Sequence, residues 1–271
     1  MRPDSAVVFG DKAQVYANYR PDHPEIVIEA LTARFHPGSV FADVGAGTGR
    51  LSQRLAQAGF IVKLVEPNPQ MRSLAAARLQ TLDPISAERI TLLAGEAKQT
   101  QLADNSIDCL IAGNSAHWFL DDLNPTLSEF KRVLKPEGRV AIVYTLKDES
   151  HSFTQALDAM LRQQCSDYCN STIGFVNHRF NSPNLAIGIA AHYLRPPVEM
   201  VTHRFHQHYS WEAFEKLLRT YSFFPRQSIS SDALLCHLRT VFSQYVEPQT
   251  QTVDVSWSTH LQISALQEAG S

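Results

Sequence analysis

At 271 residues, 44% hydrophobic, 19% charged and with a net charge of −3, the chain fits a water-soluble globular protein: one medium domain, or a core with a small cap. The mildly negative balance argues against a nucleic-acid binder, which shows a basic field or stripe, and no run approaches the roughly 18 apolar residues of a membrane span. The opening segment lacks an apolar secretory core, and Cys109, Cys165, Cys169 and Cys236 form neither a disulfide framework nor a C-x-x-C pair, so a cytoplasmic protein with reduced thiols is expected.

The first half alternates strand and helix with short connections. "SVFADV" is a near-continuous apolar run suited to a strand buried on both faces. From Gly49 the period becomes helical, with Leu51, Leu55 and Ala58 on one stripe and Gly59 as the stop. "IVKLVE" is the next strand, followed by a helix carrying Met71, Leu74 and Ala75 on one face. "RITLLAGE" and "IDCLIAG" supply two more strands. Leu123, Leu127, Phe130 and Leu134 then fall at helical spacing, and "KPEG" turns the chain into the strand "RVAIVYTL". Five strands separated by crossovers predict a parallel, doubly wound sheet.

After Asp148 the rhythm breaks. Residues 149–195 read as helix and loop, "EMVTHRFHQHYS" as a strand, and "WEAFEKLLRTY" and "DALLCHLRTVFSQYV" as helices. "TVDVSWSTHLQISAL" alternates like a closing, antiparallel edge strand. The expected organisation is an N-terminal segment plus ligand-binding core over 1–148, a helical cap insertion over 149–197, and the last two strands with further cap helices over 198–271.

The stretch "VFADVGAGTGR" carries the chemistry. Gly45, Gly47 and Gly49 are spaced G-x-G-x-G, and Arg50 stands where a dinucleotide fingerprint needs a third small residue. No Gly-Lys-Ser/Thr follows, which excludes a P-loop. Asp43, at the carboxyl end of the strand, repels a pyrophosphate but suits an ammonium or sulfonium. Glu66 ends the next strand, where a carboxylate can accept from both hydroxyls of a ribose. An adenosine-containing ligand without phosphates meets these conditions, and S-adenosylmethionine is such a ligand.

"ADVGAGTGR" resembles the first motif of class I S-adenosylmethionine-dependent methyltransferases, and "LVEPNPQM" their second strand end. "GEAKQTQLADNSIDCLIAGNSAHWF" and "FKRVLKPEGRVAIVY" are similar to two later blocks of that family, in the same order. The opening "FGDKAQVYANYRPDHP" and the segment "EKLLRTYSFFP" are similar to its small-molecule branch, which includes trans-aconitate-type methyltransferases. His23, Glu96, Glu137 and Tyr221 depart from that branch's pattern. The resemblance implies an α/β fold: a doubly wound, Rossmann-like, seven-stranded and mostly parallel sheet with an antiparallel last strand and a helical cap insertion.

It also implies a set of roles. Asp43, Gly45, Ala46, Gly47 and Gly49 would cradle S-adenosylmethionine, with Glu66 and Pro67 at the ribose, Asn68 and Met71 beside the adenine, and Glu96 and Ala97 receiving its amino group. Arg20 would clamp the methionine carboxylate, with Tyr16 and Tyr19 closing over it; Asn114, with Ser115 nearby, would receive the ammonium. His117 is either a base or acceptor-orienting group, or a structural imidazole, and Trp118 follows it. Tyr16, Trp118, Tyr209, Tyr221 and Phe224 are expected acceptor-pocket walls.

His203, Arg204, His206 and His208 fall on one predicted strand, read as a polar strand; no metal is expected. The reaction implied is in-line methyl transfer to a small-molecule acceptor, leaving S-adenosylhomocysteine, with no nucleic acid or membrane partner; the sequence does not fix the oligomeric state. Two other readings remain: a non-catalytic sensor of the cofactor or its product, and an enzyme modifying nucleic acid or protein.

Overall fold

Phe41, Ala42 and Val44 have less than 2% of their surface exposed, so the central strand must be covered on both faces, and the rest of the fold supplies that cover. The computed structural model describes residues 19–165, 168, 185–221, 224 and 229–267. Helix α1 (Glu25–Thr32) precedes β1 (Val40–Val44), and α2 (Arg50–Gln57), β2 (Ile61–Val65), α3 (Pro69–Leu79), α4 (Pro84–Glu88), β3 (Ile90–Leu93) and β4 (Ile107–Gly113) follow. A 3-10 turn (Ala116–Asp122) leads into α5 (Leu123–Val133) and β5 (Leu134–Lys147). The second half adds α6 (Ser152–Gln164), α7 (Leu185–Ala190), β6 (Leu194–Tyr209), α8 (Trp211–Arg219), α9 (Ile229–Ser243) and β7 (Val253–Leu266).

The seven strands lie in the order β3-β2-β1-β4-β5-β7-β6. The first five are parallel, β7 runs antiparallel to β5, and β6 antiparallel to β7. The sequence expectation of β7 as the closing edge strand is therefore corrected: β6 is the edge. Burial explains the order. Val255, Trp257, Thr259, Leu261 and Ile263 of β7 are buried, together with Ser256, Ser258, Gln262 and Ser264 on the other face, so β7 is covered above and below as an interior strand is. Charged and polar side chains dominate β6, whose interior is mostly exposed, and such a strand blunts a sheet edge.

Two apolar layers sandwich the parallel part. One contains Val27, Leu31, Leu51, Leu55 and Phe60 from α1, α2 and the approach to β2; the other contains Leu127, Phe130, Tyr193 and residues of α7. The Ala- and Gly-rich helix α7 packs with this second layer rather than with the cap, because its small apolar residues Ala186, Ile189 and Ala190 are buried there. The "KPEG" turn is absorbed into β5 as a bulge. Ile107 pairs with Leu134 and Cys109 with Arg139, so the extra residues loop out of the ladder.

Strand β5 ends its pairing at Lys147 opposite Trp257, while β6 and β7 continue to Tyr209 and Val253. This overhang carries the cap. Phe153, Leu157 and Leu161 of α6, Phe214, Leu217 and Leu218 of α8, and Leu234, Leu238 and Phe242 of α9 form one cluster with Val253, Val255 and Trp257. Among the described residues, no helix is long and apolar enough to cross a membrane.

The loop between β3 and β4 is held by one carboxylate. Glu129 of α5 accepts from the backbone N–H (2.8 Å) and hydroxyl (2.6 Å) of buried Thr100 and from the Arg132 guanidinium at 2.8 Å. Arg132 holds the Glu129 carboxyl down at about 2, against an ordinary value of 4.5. Glu129→Gln is expected to lower stability by about 1–3 kcal/mol at pH 7. The stability that this depressed carboxylate contributes is complete above about 4.5 and lost through about 2, so urea titrations should show the two proteins converging over that window.

Candidate functional site

The sheet order places its switch point between β1 and β4, whose crossovers run to opposite sides, and open α/β sheets bind ligands in the crevice so formed. A cavity of about 510 Å³ occupies that crevice. Its floor is the loop that leaves β1. Gly45 has φ +68° and lies so close to the chain after β4 that a Cβ there would meet Ser115 Cβ at 2.8 Å. Gly47 (φ +59°) has nothing within 4 Å of such a Cβ, and its missing side chain opens the cavity. The backbone N–H groups of Gly45 and Ala46 both donate to the Val65 carbonyl, at 2.9 and 3.2 Å, and this fixes the loop to β2.

Two buried acids face this floor. Asp43 is 1% exposed and accepts from the Ser52 hydroxyl at 2.6 Å. Burial pushes its carboxyl up to about 7, and the nearby charge of Glu66 adds to that rise while the Ser52 bond opposes it. Each oxygen of Glu66 accepts one backbone N–H, from Asn68 and from Gly47, both at 2.8 Å. Burial raises the Glu66 carboxyl as well. Among the described residues neither acid forms a salt bridge, whereas buried charges are ordinarily paired. Two such carboxylates at the mouth of a cavity mark a functional site.

Asp43, Gly45, Ala46, Gly47, Glu66, Pro67, Asn68, Met71, Glu96, Ala97, Asn114, Ser115, Trp118 and Arg20 are all brought to this cavity. Asn68 also caps α3, its side-chain oxygen accepting from Gln70 N and Met71 N, and so sets the direction in which Met71 enters the wall. Glu96 stands exposed at the rim, 3.8 Å from the Lys98 ammonium. Asn114 adopts φ +54° at the end of β4, with its side-chain oxygen accepting from Thr145 N at 2.9 Å. Ser115 donates to the Val44 carbonyl at 2.7 Å. Arg20 lies with its guanidinium carbon 3.8 Å from the Tyr221 ring centre and donates from Nε to Thr220 at 2.8 Å.

Other expected residues are placed elsewhere. Gly49 lies beneath the loop, where a Cβ would meet Leu64 Cδ1 at 3.0 Å; its role is close packing of α2 on β2 and α3. His117 does not line the cavity: its ring Nδ1 and its backbone N–H both meet the Tyr144 hydroxyl, at 2.8 and 2.9 Å. Tyr19 and Tyr209 border an adjoining shallow hollow together with His208. Tyr221 and Phe224 are buried in the cap cluster, with Tyr221 accepting from Lys147 Nζ at 3.0 Å. Tyr16 lies outside the described residues. His203, Arg204, His206 and His208 lie on the edge strand β6.

The cavity also contains residues to which the sequence assigned no role. His23 is buried against Gly113, its Nδ1 lies 3.1 Å from the Thr145 hydroxyl, and burial lowers its ring to about 4, so it is neutral at pH 7. The Thr145 hydroxyl lies in turn 2.8 Å from that of Thr259. Thr126 lines the cavity from α5, fully buried, its hydroxyl without a partner among the described residues. His23 carries a signal, since it departs from the pattern of the segment it stands in; Thr126 carries none, because only the packing of α5 brings it to the cavity.

Residues 42–142 match a protein family described as a methyltransferase domain. Over 162 residues the chain is 32% identical to an uncharacterized methyltransferase of Mycobacterium tuberculosis, a match that covers 59% of this chain and 61% of the relative. An uncharacterized methyltransferase of Schizosaccharomyces pombe is 26% identical over 152 residues, 55% of this chain and 56% of its own. The fold is similar to that of a candidate type II methyltransferase from Anaeromyxobacter dehalogenans (TM-score 0.59, 20% identity, 91% and 98% of the two chains). It is also similar to that of a methyltransferase from Geobacter sulfurreducens solved with S-adenosyl-L-homocysteine (TM-score 0.50, 16% identity, 94% and 97%). Residues 42–142 are thus similar to a methyltransferase domain, and the chain spans about three fifths of the length of the curated relatives it matches.

Proposed function

We propose that the chain binds S-adenosylmethionine in the switch-point cavity and transfers its methyl group to a small-molecule acceptor in the cytoplasm. The observation that carries this reading is Asp43: a fully buried carboxylate, without a cationic partner among the described residues, at the floor of a glycine-lined cavity. Such a group is stabilised by a ligand that brings its own positive charge. The donor set fits the cofactor. Glu66, already holding one backbone N–H on each oxygen, keeps lone pairs for two ribose hydroxyls, and Met71 with Ala97 offers apolar walls to a flat base.

When bound, S-adenosylmethionine supplies a methyl carbon activated by the sulfonium to attack by an acceptor lone pair. The work of the chain is to hold reacting groups in line. Arg20, Asn114, Ser115 and Trp118 line the cavity with His23, whose neutral ring, lowered to about 4 by burial, can orient an acceptor group but is a weak base for its proton. The reach of the cap favours a small acceptor, because α6, α8 and α9 ride on an overhang beside the cavity, and the net charge of −3 does not favour a polyanion.

Asp43→Asn separates site from scaffold. It is expected to weaken S-adenosylmethionine binding in calorimetry by roughly 30-fold or more, since a buried charge partner is lost. The wild-type carboxyl, raised from 3.8 to about 7, keeps a proton that the unfolded chain releases, so wild-type stability falls as pH rises across that window. The variant should therefore match the wild type below about 4 and exceed it above about 7, by an amount on the order of 4 kcal/mol. Cofactor affinity of the wild type should rise through about 7, where Asp43 gains its charge, and stay flat in the variant.

Methyl-labelled S-adenosylmethionine incubated with a source-cell extract should leave label in the small-molecule fraction with wild type and none with Asp43→Asn. Label in nucleic acid or protein would overturn the choice of acceptor. Binding without transfer to any fraction would favour a sensor.

A further inference from the structure

Outside the cofactor cavity, three segments converge where the β6–β7 overhang meets the start of α6. His151 immediately precedes α6, His206 lies on β6, and Asp254 lies on β7, one step diagonally from His206 in the ladder. Each offers one ligand atom, and these atoms lie within 4.8 Å of one another. His206 Nδ1 is 2.8 Å and His151 Nε2 is 3.6 Å from the same Asp254 oxygen, Oδ2. The two imidazoles stand edge to face, with ring centres 6.1 Å apart and planes at 73°, so they point toward a shared carboxylate rather than stacking.

Hydrogen bonds alone leave this group incomplete. Asp254 Oδ1 is buried and has no partner among the described residues, and neither has His151 Nδ1, also buried. A buried polar atom without a partner is costly, and such atoms in native proteins call for a bound water. Neither is the atom that its residue turns to the shared contact, Asp254 Oδ2 or His151 Nε2, so an ion held there leaves both to water; the contact itself makes these three residues one cluster. Its donor set, two imidazole nitrogens and one carboxylate, is that of zinc and related divalent transition ions; calcium and magnesium prefer oxygen alone.

The spacing also fits. Ligands of a tetrahedral zinc with ordinary bond lengths stand roughly 3.4 Å apart. The His151–Asp254 pair is already at 3.6 Å, and the 2.8 Å pair needs only a small opening of His206, whose side chain is 56% exposed. The same exposure leaves the fourth position open to water. Arg204, the charge adjacent on this face, is met by Asp148 at 3.1 Å and so does not confront the ion unopposed.

We propose that His151, His206 and Asp254 bind a zinc-class divalent ion that clasps the start of α6 to the overhang of β6 and β7. The test is calorimetric titration of zinc chloride into the full chain after removal of metal with a chelator, alongside the absorption spectrum of the cobalt-substituted protein. One equivalent should bind with a Kd of about 1 μM or tighter. Cobalt should give the intense visible bands of a four-coordinate site, and zinc should raise the melting temperature.

His206→Ala and Asp254→Asn should each weaken binding by roughly tenfold or more, since losing a ligand costs no less than losing a supporting partner does. Circular dichroism should report both variants folded, and the half-exposed His206→Ala is the variant that decides if Asp254→Asn is not. A His203→Ala, Cys236→Ser double variant, which removes an exposed histidine and an exposed thiol elsewhere, should bind zinc as the wild type does. Binding weaker than about 100 μM would overturn the proposal. So would affinity unchanged by His206→Ala, or affinity lost in the double variant.

Discussion

A charge kept away from water at the end of β1 is the constraint on which the rest of the structure depends. Asp43 sits among Phe41, Ala42 and Val44, on the strand that pairs with β2 on one side and β4 on the other. Burying a carboxylate in such a place is costly, and a single hydroxyl from Ser52 offsets only part of that cost. Its retention is understandable if the missing stabilisation arrives with a cationic ligand. The surrounding geometry serves the same end: tight approach at Gly45 and Gly49 brings loop, helix and strand together, and open space at Gly47 leaves the ligand room.

The second half of the chain solves a different problem. Five parallel strands end in a crevice that needs a wall, and loops alone make a poor one. By extending β6 and β7 past the end of β5, the chain builds a rigid ledge at the carboxyl edge of the sheet. Trp257, fully buried at the point where pairing with β5 stops, anchors the apolar cluster of the three cap helices to that ledge. Cap and crevice are therefore parts of one scaffold, joined through strands rather than through a linker.

How much of this the sequence discloses depends on how local the signal is. The five parallel strands, the glycine loop, Asp43 and Glu66 are each written in a handful of consecutive residues, and they are found where the pattern puts them. The edge and interior roles of β6 and β7 are not local. Alternation along "TVDVSWSTHLQISAL" looks like a half-exposed edge strand, yet its serines, glutamine and Thr259 are buried, and β6 continues the sheet beyond it. His117 follows the strand that feeds the cavity, so position in sequence makes it a candidate; the 3-10 turn carries its ring to Tyr144 instead. Thr126 and the meeting of His151 with Asp254 depend on contacts between distant segments, which no period or motif encodes.

Arg20 shows how the two halves become one site. The resemblance assigns it to a ligand carboxylate, and it does line the cavity; but its Nε is spent on Thr220 and its flat face on Tyr221, both at the end of α8. Tyr221 in turn accepts from Lys147 at the end of β5. Burial pushes the Tyr221 hydroxyl up, yet the cations Lys147 and Arg20 outweigh it and hold that hydroxyl below the usual phenol range. A ligand that draws Arg20 toward the cavity must therefore act on the same residues that hold α8 to the core. Occupancy of the cofactor side and the position of the cap wall are linked through one guanidinium, and this is the physical route by which binding on one side of the cavity can shape the other.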